Sequence, residues 1–316
     1  MTDSLTNITR LLSAVLPHSL LLTGASGFLG RILNSHLAGN FKVVSLGRDT
    51  SCDVRCDLSR EVPVIRDISF VIHAAGKAHI YPRTREEINS FYEVNVSGTI
   101  HLLEAIKNNN TSRMVFISSV SVYGLDEGSM IDENFPLAGV SPYAQSKIQA
   151  EQLVRSFCEE RSIPYLILRI PLVAGPEPPG NLGKMINAIS RGSYVRVAGG
   201  TARKSAVLGI DVALLIDSWL LSAKASSGIF NLTDGVHPSF FEWELAIRRK
   251  MNSKQPAWQP AVPGWLADFL GKLGDILPFF PVNSNTIVKM TRSCTFSDEQ
   301  ARKVLGWNPR PVLDNF

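Results

Sequence analysis

Thr23-Gly24-Ala25-Ser26-Gly27-Phe28-Leu29-Gly30 is the stretch on which the reading of this chain turns. Before it, Ser19–Thr23 is a short aliphatic run of strand type. After it, Phe28, Leu29, Ile32, Leu33 and Leu37 recur at helical spacing. A glycine cluster between a strand and a helix has a physical task in that context. Gly24 permits a tight turn, Gly27 lets the backbone approach a pyrophosphate at the helix N-terminus, and Gly30 lets helix and strand pack closely. The spacing is G-x2-G-x2-G, which differs from the G-x-G-x-x-G of the usual dinucleotide fingerprint. The plain alternative is a glycine turn without a ligand.

Working outward, strand-type runs at Lys42–Leu46, Phe70–Ala74, Arg113–Ser118 and Tyr165–Ile170 alternate with helix-period segments such as Ala150, Leu153, Val154, Phe157 and Cys158. That alternation predicts an α/β chain with a doubly wound parallel sheet of Rossmann type. After Ile170 the texture changes: Pro171-Leu-Val-Ala-Gly-Pro-Glu-Pro-Pro-Gly180 is dense in proline and glycine. The expected organisation is a helical extension over 1–17, a dinucleotide-binding domain over 18–170 and a smaller C-terminal substrate lobe over 171–316. Segments near 205–235 are expected to return to the first domain.

With 316 residues the chain has room for one large domain with a lobe, or for two domains of roughly 100–200 residues. Apolar residues make up 45% and charged residues 19%, which excludes a disordered chain or a coiled coil. The net charge of +4 is dilute and forms no basic block, so nucleic acid is not an expected partner. Cys52, Cys56, Cys158 and Cys294 are scattered without zinc spacing, and no metal site is expected. The apolar run at Leu11–Leu16 is too short for a signal peptide, and no segment suits a membrane span. A reduced, cytoplasmic setting is the expectation. Trp265, Leu266, Phe269, Leu270, Leu273, Ile276 and Leu277 recur at helical spacing and are read as a core stripe; the polar face lacks the basic residues of a membrane-surface helix.

Two further features carry chemistry. The second strand ends Ser45-Leu46-Gly47-Arg48-Asp49, with Gly47 where an acid would bind a ribose 2′-hydroxyl and Arg48 beside it to accommodate a 2′-phosphate. NADP(H) is therefore expected over NAD. Ser141-Pro142 reads as a helix start, and Tyr143 and Lys147 follow four apart on one helical face. A phenol titrates near ~10, and a nearby ammonium favours its phenolate, so proton exchange becomes accessible. Ser118 and Ser119 end a strand at the carboxyl edge, where a hydroxyl can hold a reacting oxygen.

These residues carry a resemblance. Thr23-Gly24-x-x-Gly27-x-x-Gly30, Asp57-Leu58, His73-Ala74-Ala75-Gly76, Asn95-Val96-x-Gly98-Thr99, Ser118-Ser119-x-x-Val122-Tyr123-Gly124 and Tyr143-x-x-x-Lys147 resemble the extended short-chain dehydrogenase/reductase family. The similarity is closest to the nucleotide-sugar epimerases, dehydratases and 4-ketoreductases. It runs to Phe296-Ser297-Asp298-x-x-x-Arg302-Lys303-x-Leu305-Gly306-Trp307-x-Pro309. The resemblance implies that Ser26, Phe28, Leu29, Ala74, Ala75, Gly76 and Pro171 line the dinucleotide, that Asp57 and Leu58 border its adenine, and that Asn95 supports its active-site side. It implies Tyr143 as acid and base, Lys147 on the nicotinamide ribose, and Ser119 on the sugar oxygen. Asn181, Arg203 and Lys204 are implied at the substrate diphosphate, Lys204 in the clamp position. Tyr123 is read as packing. Relatives dimerise through two helices, here about 85–107 and 142–161, so a homodimer is expected.

Dehydratase relatives place an Asp–Glu pair after the catalytic hydroxyl. Val120 and Ser121 stand there instead. The reaction expected is reduction of a 4-keto sugar on a nucleoside diphosphate of UDP type. The first alternative is a UDP-sugar 4-epimerase with tightly held NAD. The second is a non-catalytic cofactor-binding protein, against which the retained Ser119, Tyr143 and Lys147 speak.

Overall fold

Leu20, Leu21 and Leu22 are completely buried, which marks Ser19–Thr23 as a strand covered on both faces and explains its unbroken aliphatic run. In the computed structural model, described over residues 18–78, 82–251, 261–276 and 283–316, this strand (β1) lies inside a seven-stranded parallel sheet. Its companions are β2 (Lys42–Gly47), β3 (Val54–Arg55), β4 (Phe70–His73), β5 (Arg113–Ser119), β6 (Tyr165–Ile170) and β7 (Gly228–Asn231). The order is β7-β6-β5-β4-β1-β2-β3, so the winding reverses between β1 and β4. Thr23 pairs with Leu46 on one side and with His73 on the other, which brings the carboxyl ends of these strands level. In doubly wound sheets ligands bind at that reversal. The predicted N-terminal extension lies outside the described residues.

Helix α1 (Phe28–Leu37) follows β1 and buries Gly30, Leu33 and Leu37. Helix α2 (Arg85–Tyr92) is closed by a capping box in which Thr84 and Glu87 satisfy each other's backbone amides. Helix α3 (Gly98–Ile106) is not simply its continuation. A π-helical turn at Glu93–Ser97 joins the two, within the stretch 85–107 that the resemblance implies as one helix. Such turns hold one residue more per winding, and here Asn95 is turned inward and buried. Helix α4 (Pro142–Glu160) starts as expected, with Ser141 Oγ accepting the Ala144 amide at 3.2 Å.

Contacts divide the chain into two units. The first runs to Ile117 and includes Gln149–Ile167 and Ala213–Gly228. The second comprises Ser118–Ile148, Leu168–Val212 and Ile229–Phe316. Helices α5 (Gly180–Ser190), α6 (Gly209–Leu221), α7 (Phe240–Lys250), α8 (Gly264–Ile276) and α9 (Ser284–Thr291) complete the longer elements. One core of the second unit gathers Leu182, Met185 and Ile189 of α5 with Trp243 and Ile247 of α7. Another gathers Val122, Tyr123, Ile131, Ile148 and Phe296.

The stripe on α8 is not a core stripe. Ala267 and Gly271 are its buried residues, and a Cβ on Gly271 would meet Ile287 at 3.0 Å and Ser284 at 3.1 Å. Close approach through small residues leaves Trp265 72% exposed, Phe269 59% and Ile276 76%, while Leu266, Leu270 and Leu273 are half-buried. Leu277 lies outside the described residues.

The tightest backbone fit belongs to Gly30, whose added Cβ would fall 1.9 Å from the Gly24 carbonyl oxygen. Gly30→Ala should destabilise the protein by about 1–3 kcal/mol or more. Gly39→Ala, where the nearest atom is 3.7 Å away, should not. Thermal denaturation of the two variants side by side checks this.

Candidate active site

In the first unit, the turn after β1 is held by two backbone hydrogen bonds and one from a side chain. The Gly24 amide donates to Leu46 O at 3.2 Å, the Gly27 amide donates to Gly24 O at 3.0 Å, and Arg31 Nη1 donates to Ser26 O at 2.9 Å. Gly24 is left-handed at φ +73°, and a Cβ there would strike the Ala75 backbone at 2.7 Å. Only glycine lets the turns after β1 and β4 approach so closely. Gly27 caps α1 with no side chain, and the first turn of α1 contains no acid. The positive end of the helix is therefore open to an anion, with Ser26, Phe28 and Leu29 around it. The backbone of Ala74 and Ala75 lies directly against Gly24. Asn95 secures the segment beyond them: its Oδ1 accepts the Lys77 amide at 2.7 Å and its Nδ2 donates to Lys77 O at 3.2 Å. A cradle that any Cβ would fill, facing an uncapped helix end, fits a pyrophosphate-bearing dinucleotide.

At the end of β2, Arg48 is exposed and Asp49 turns back to accept the Ser51 amide at 2.9 Å. Hydrogen bonds from Ser59 hold the Asp57 carboxyl below its ordinary range, and Arg48 and Arg60 add to that. Arg60 Nε lies 3.9 Å from Asp57 Oδ2. Leu58 is buried, packs on Gly98, and accepts from His101 Nδ1 through its carbonyl at 2.7 Å.

The second unit holds Ser119, Tyr143 and Lys147. Ser119 is buried at the end of β5, caps the short turn Val120–Tyr123, accepts the Ser121 amide at 3.2 Å, and donates to Ser121 Oγ at 3.1 Å. Its side chain also hydrogen-bonds the Tyr143 phenol. Burial pushes that phenol up from its ordinary value, and the Ser119 bond works against the rise. Lys147, one helical turn on, is buried. The expectation that a cationic neighbour sets the phenol low is thus outweighed by desolvation in the protein as it stands.

Among the implied substrate residues, Arg203 and Lys204 part company. Arg203 is engaged, with Nη1 donating to His237 O at 3.0 Å and pairing with Glu242 at 3.2 Å. Lys204 is half-buried, and desolvation lowers its pKa although Cys294 and Asp126 favour its charge. Asn181 is exposed in the first turn of α5, whose cap is Pro179, so it is not the helix cap its residue type suggests. Pro171 links β6 to the strand Leu172–Ala174.

One network escaped the sequence. Tyr123 is fully buried, and its hydroxyl donates to Asn231 Oδ1 at 2.8 Å while accepting from Arg169 Nη1 at 3.0 Å. Glu133 Oε1 accepts the Asn231 amide at 2.7 Å, and burial raises the Glu133 carboxyl. These four residues anchor the far end of the turn that begins at Ser119. No local spacing connects them.

The sheet, the glycine turn and the Ser-Tyr-Lys set define an enzyme of the extended short-chain dehydrogenase/reductase type. The chain belongs to the NAD dependent epimerase/dehydratase family, whose model matches residues 20–232. It is 27% identical to the UDP-glucose 4-epimerase of Vibrio cholerae over 318 residues, covering 94% of this chain and 93% of that protein. It is also 27% identical, over 81% of its length and 80% of the relative, to an N-acetyl-alpha-D-glucosaminyl-diphospho-ditrans,octacis-undecaprenol 4-epimerase of Escherichia coli O157:H7. Among solved structures it shares its fold with MoeE5 in complex with UDP-glucuronic acid and NAD (TM-score 0.71, 24% identity, 94% and 96% of the two chains). The UDP-glucuronic acid 4-epimerase of Bacillus cereus with the same two ligands is equally similar in fold (TM-score 0.71, 19% identity, 94% and 96%). Both neighbours carry NAD, and the expected preference for NADP(H) finds no support in them. Among the described residues no helix is long and apolar enough to cross a membrane.

Ser119 lowers the phenol that burial raises, so Ser119→Ala should move Tyr143 ionisation to higher pH. Ultraviolet difference titration of tyrosinate, with Tyr143→Phe to assign the signal, reads the shift. A shift to lower pH would refute the assigned sign.

Proposed function

We propose that the protein is an NAD-using 4-epimerase of UDP-sugars, in place of the 4-keto reduction that the missing acid after β2 suggests. The observation that carries this reading is a Tyr143 phenol hydrogen-bonded to Ser119, with Lys147 one turn on, in a chain that aligns nearly end to end with a 4-epimerase.

In this reading Ser119 orients the C4 oxygen of the sugar and Tyr143 takes the proton of its hydroxyl. The bound dinucleotide supplies a two-electron acceptor for the C4 hydrogen. Loss of the hydroxyl proton and the C4 hydride would leave a 4-keto sugar; return of hydride to the opposite face of C4, with the proton going back to its oxygen from Tyr143, gives the epimer with nothing consumed. Lys147 favours the phenolate that opens the cycle. Lys204, freer than Arg203, meets the substrate diphosphate as a point charge.

The test is interconversion of UDP-glucose and UDP-galactose by purified protein, followed by proton NMR without added cofactor. Tyr143→Phe should lower turnover by about 10²–10⁴-fold. Lys204→Met should raise KM more than Arg203→Met. NADPH-dependent reduction of a 4-keto sugar without interconversion would restore the reductase reading.

A second reading concerns what the diphosphate carries. Trp265, Phe269 and Ile276 share one face of α8 and stand in solvent, and one relative acts on a polyprenol-linked sugar. An aromatic face of that kind suits a membrane surface, where a lipid-linked sugar would be presented. Liposome co-sedimentation that is lost in Phe269→Asp would support it; equal sedimentation of both proteins, or of neither, would reject it.

A further inference from the structure

His73 ends β4 and is almost wholly buried, as are Thr23 at the end of β1 and Thr99 at the start of α3. Four hydrogen bonds run through these three side chains. The Ala75 amide donates to Thr23 Oγ1 at 3.1 Å, Thr23 Oγ1 lies 2.7 Å from His73 Nδ1, His73 Nε2 lies 2.9 Å from Thr99 Oγ1, and Thr99 Oγ1 donates to the Asn95 carbonyl at 2.6 Å.

Counting protons settles the direction of every link. A hydroxyl has one proton, and that of Thr99 goes to a carbonyl that can only accept. Toward His73, Thr99 can therefore only accept, so Nε2 bears the ring proton. The Nδ1 of a neutral ring is then bare and takes the single proton of Thr23. That leaves the Thr23 oxygen to receive the Ala75 amide. Within these four bonds each donor is used once. The ring is further confined by Phe116, whose centroid lies 5.4 Å away.

We infer that His73 is a positioning residue for the dinucleotide cradle, acting as a neutral Nε2–H bridge that ties the turns after β1 and β4 to the π-helical turn of Asn95. The inference rests on the dinucleotide reading above. The elements it joins are those that shape the cradle. Gly24 touches the Ala75 backbone, Ala75 hangs from Thr23, and Asn95 grips Lys77 on the same loop. A bridge with one permitted proton arrangement holds these three elements in one relative position. Removing one hydroxyl leaves a buried donor without a partner, which favours displacement of the loop.

The test uses the full chain and two replacements at Thr99. Thr99→Val keeps the shape and removes the acceptor; Thr99→Ser keeps the hydroxyl. Isothermal titration of NAD should show about tenfold weaker binding for Thr99→Val and recovery to near the wild-type affinity in Thr99→Ser. Nitrogen-15 NMR of the histidine rings in ligand-free wild type should show His73 as the Nε2–H tautomer, and Thr99→Val should shift that signature. Unchanged NAD affinity in Thr99→Val overturns the proposal, as does a loss in Thr99→Ser equal to that in Thr99→Val. An Nδ1–H or averaged tautomer in wild type also overturns it. Should wild type bind no dinucleotide, the functional reading and the positioning role both fall, and the tautomer signature then tells whether the bridge itself stands.

Discussion

The approach of two backbone turns, after β1 and after β4, is the constraint from which the cofactor side of this protein follows. The sheet reverses its winding between these strands, so their carboxyl ends open a crevice. The crevice has the right walls only because Gly24 lets the turn touch the Ala75 backbone and Gly30 lets α1 sit on the Gly24 carbonyl. Neither contact survives a methyl group. A buried line of Thr23, His73 and Thr99 spans the same ground in side-chain hydrogen bonds. Backbone sterics and proton accounting thus converge on one geometry.

In the second unit the balance is electrostatic. Desolvation raises the Tyr143 phenol above its ordinary pKa, and the Ser119 hydroxyl leans the other way. A group held between those influences can give up and recover a proton when a cation or a ligand oxygen alters its surroundings. Ser119 keeps its place because it caps the turn leading to Tyr123, and Tyr123 is tied to Asn231 and Arg169. Arg203 illustrates the opposite case. Its guanidinium is paired with Glu242 and donates to a backbone carbonyl, whereas burial works against the charge of Lys204.

Much of the fold was legible because buried parallel strands and amphipathic helices leave periodic marks. Ser19–Thr23 and Tyr165–Ile170 coincide with their strands, and Ser141-Pro142 opens α4 as its residue types demand. The π-helical turn at Asn95 left no such mark, since one added residue in a winding barely alters a helical pattern. On α8 the apolar spacing was real but its orientation was misread. Periodicity reports that large residues share a side and says nothing of whether small residues opposite them make the tighter contact. The NADP(H) expectation rests on Gly47 and Arg48 alone, and the solved neighbours, which carry NAD, give it no support.

By itself the sequence determined the α/β class, the glycine turn and the Ser119, Tyr143 and Lys147 set, because strand, turn and helix periodicities and the 3.6-residue helical repeat are local properties. Tertiary structure decided that Arg203 pairs with Glu242, which side of α8 faces water, and that His73 lies between Thr23 and Thr99. It also decided the net direction in which the Tyr143 phenol is displaced. Each of these is a competition between groups far apart in the chain, settled by desolvation and hydrogen-bond geometry that exist only once the chain is folded.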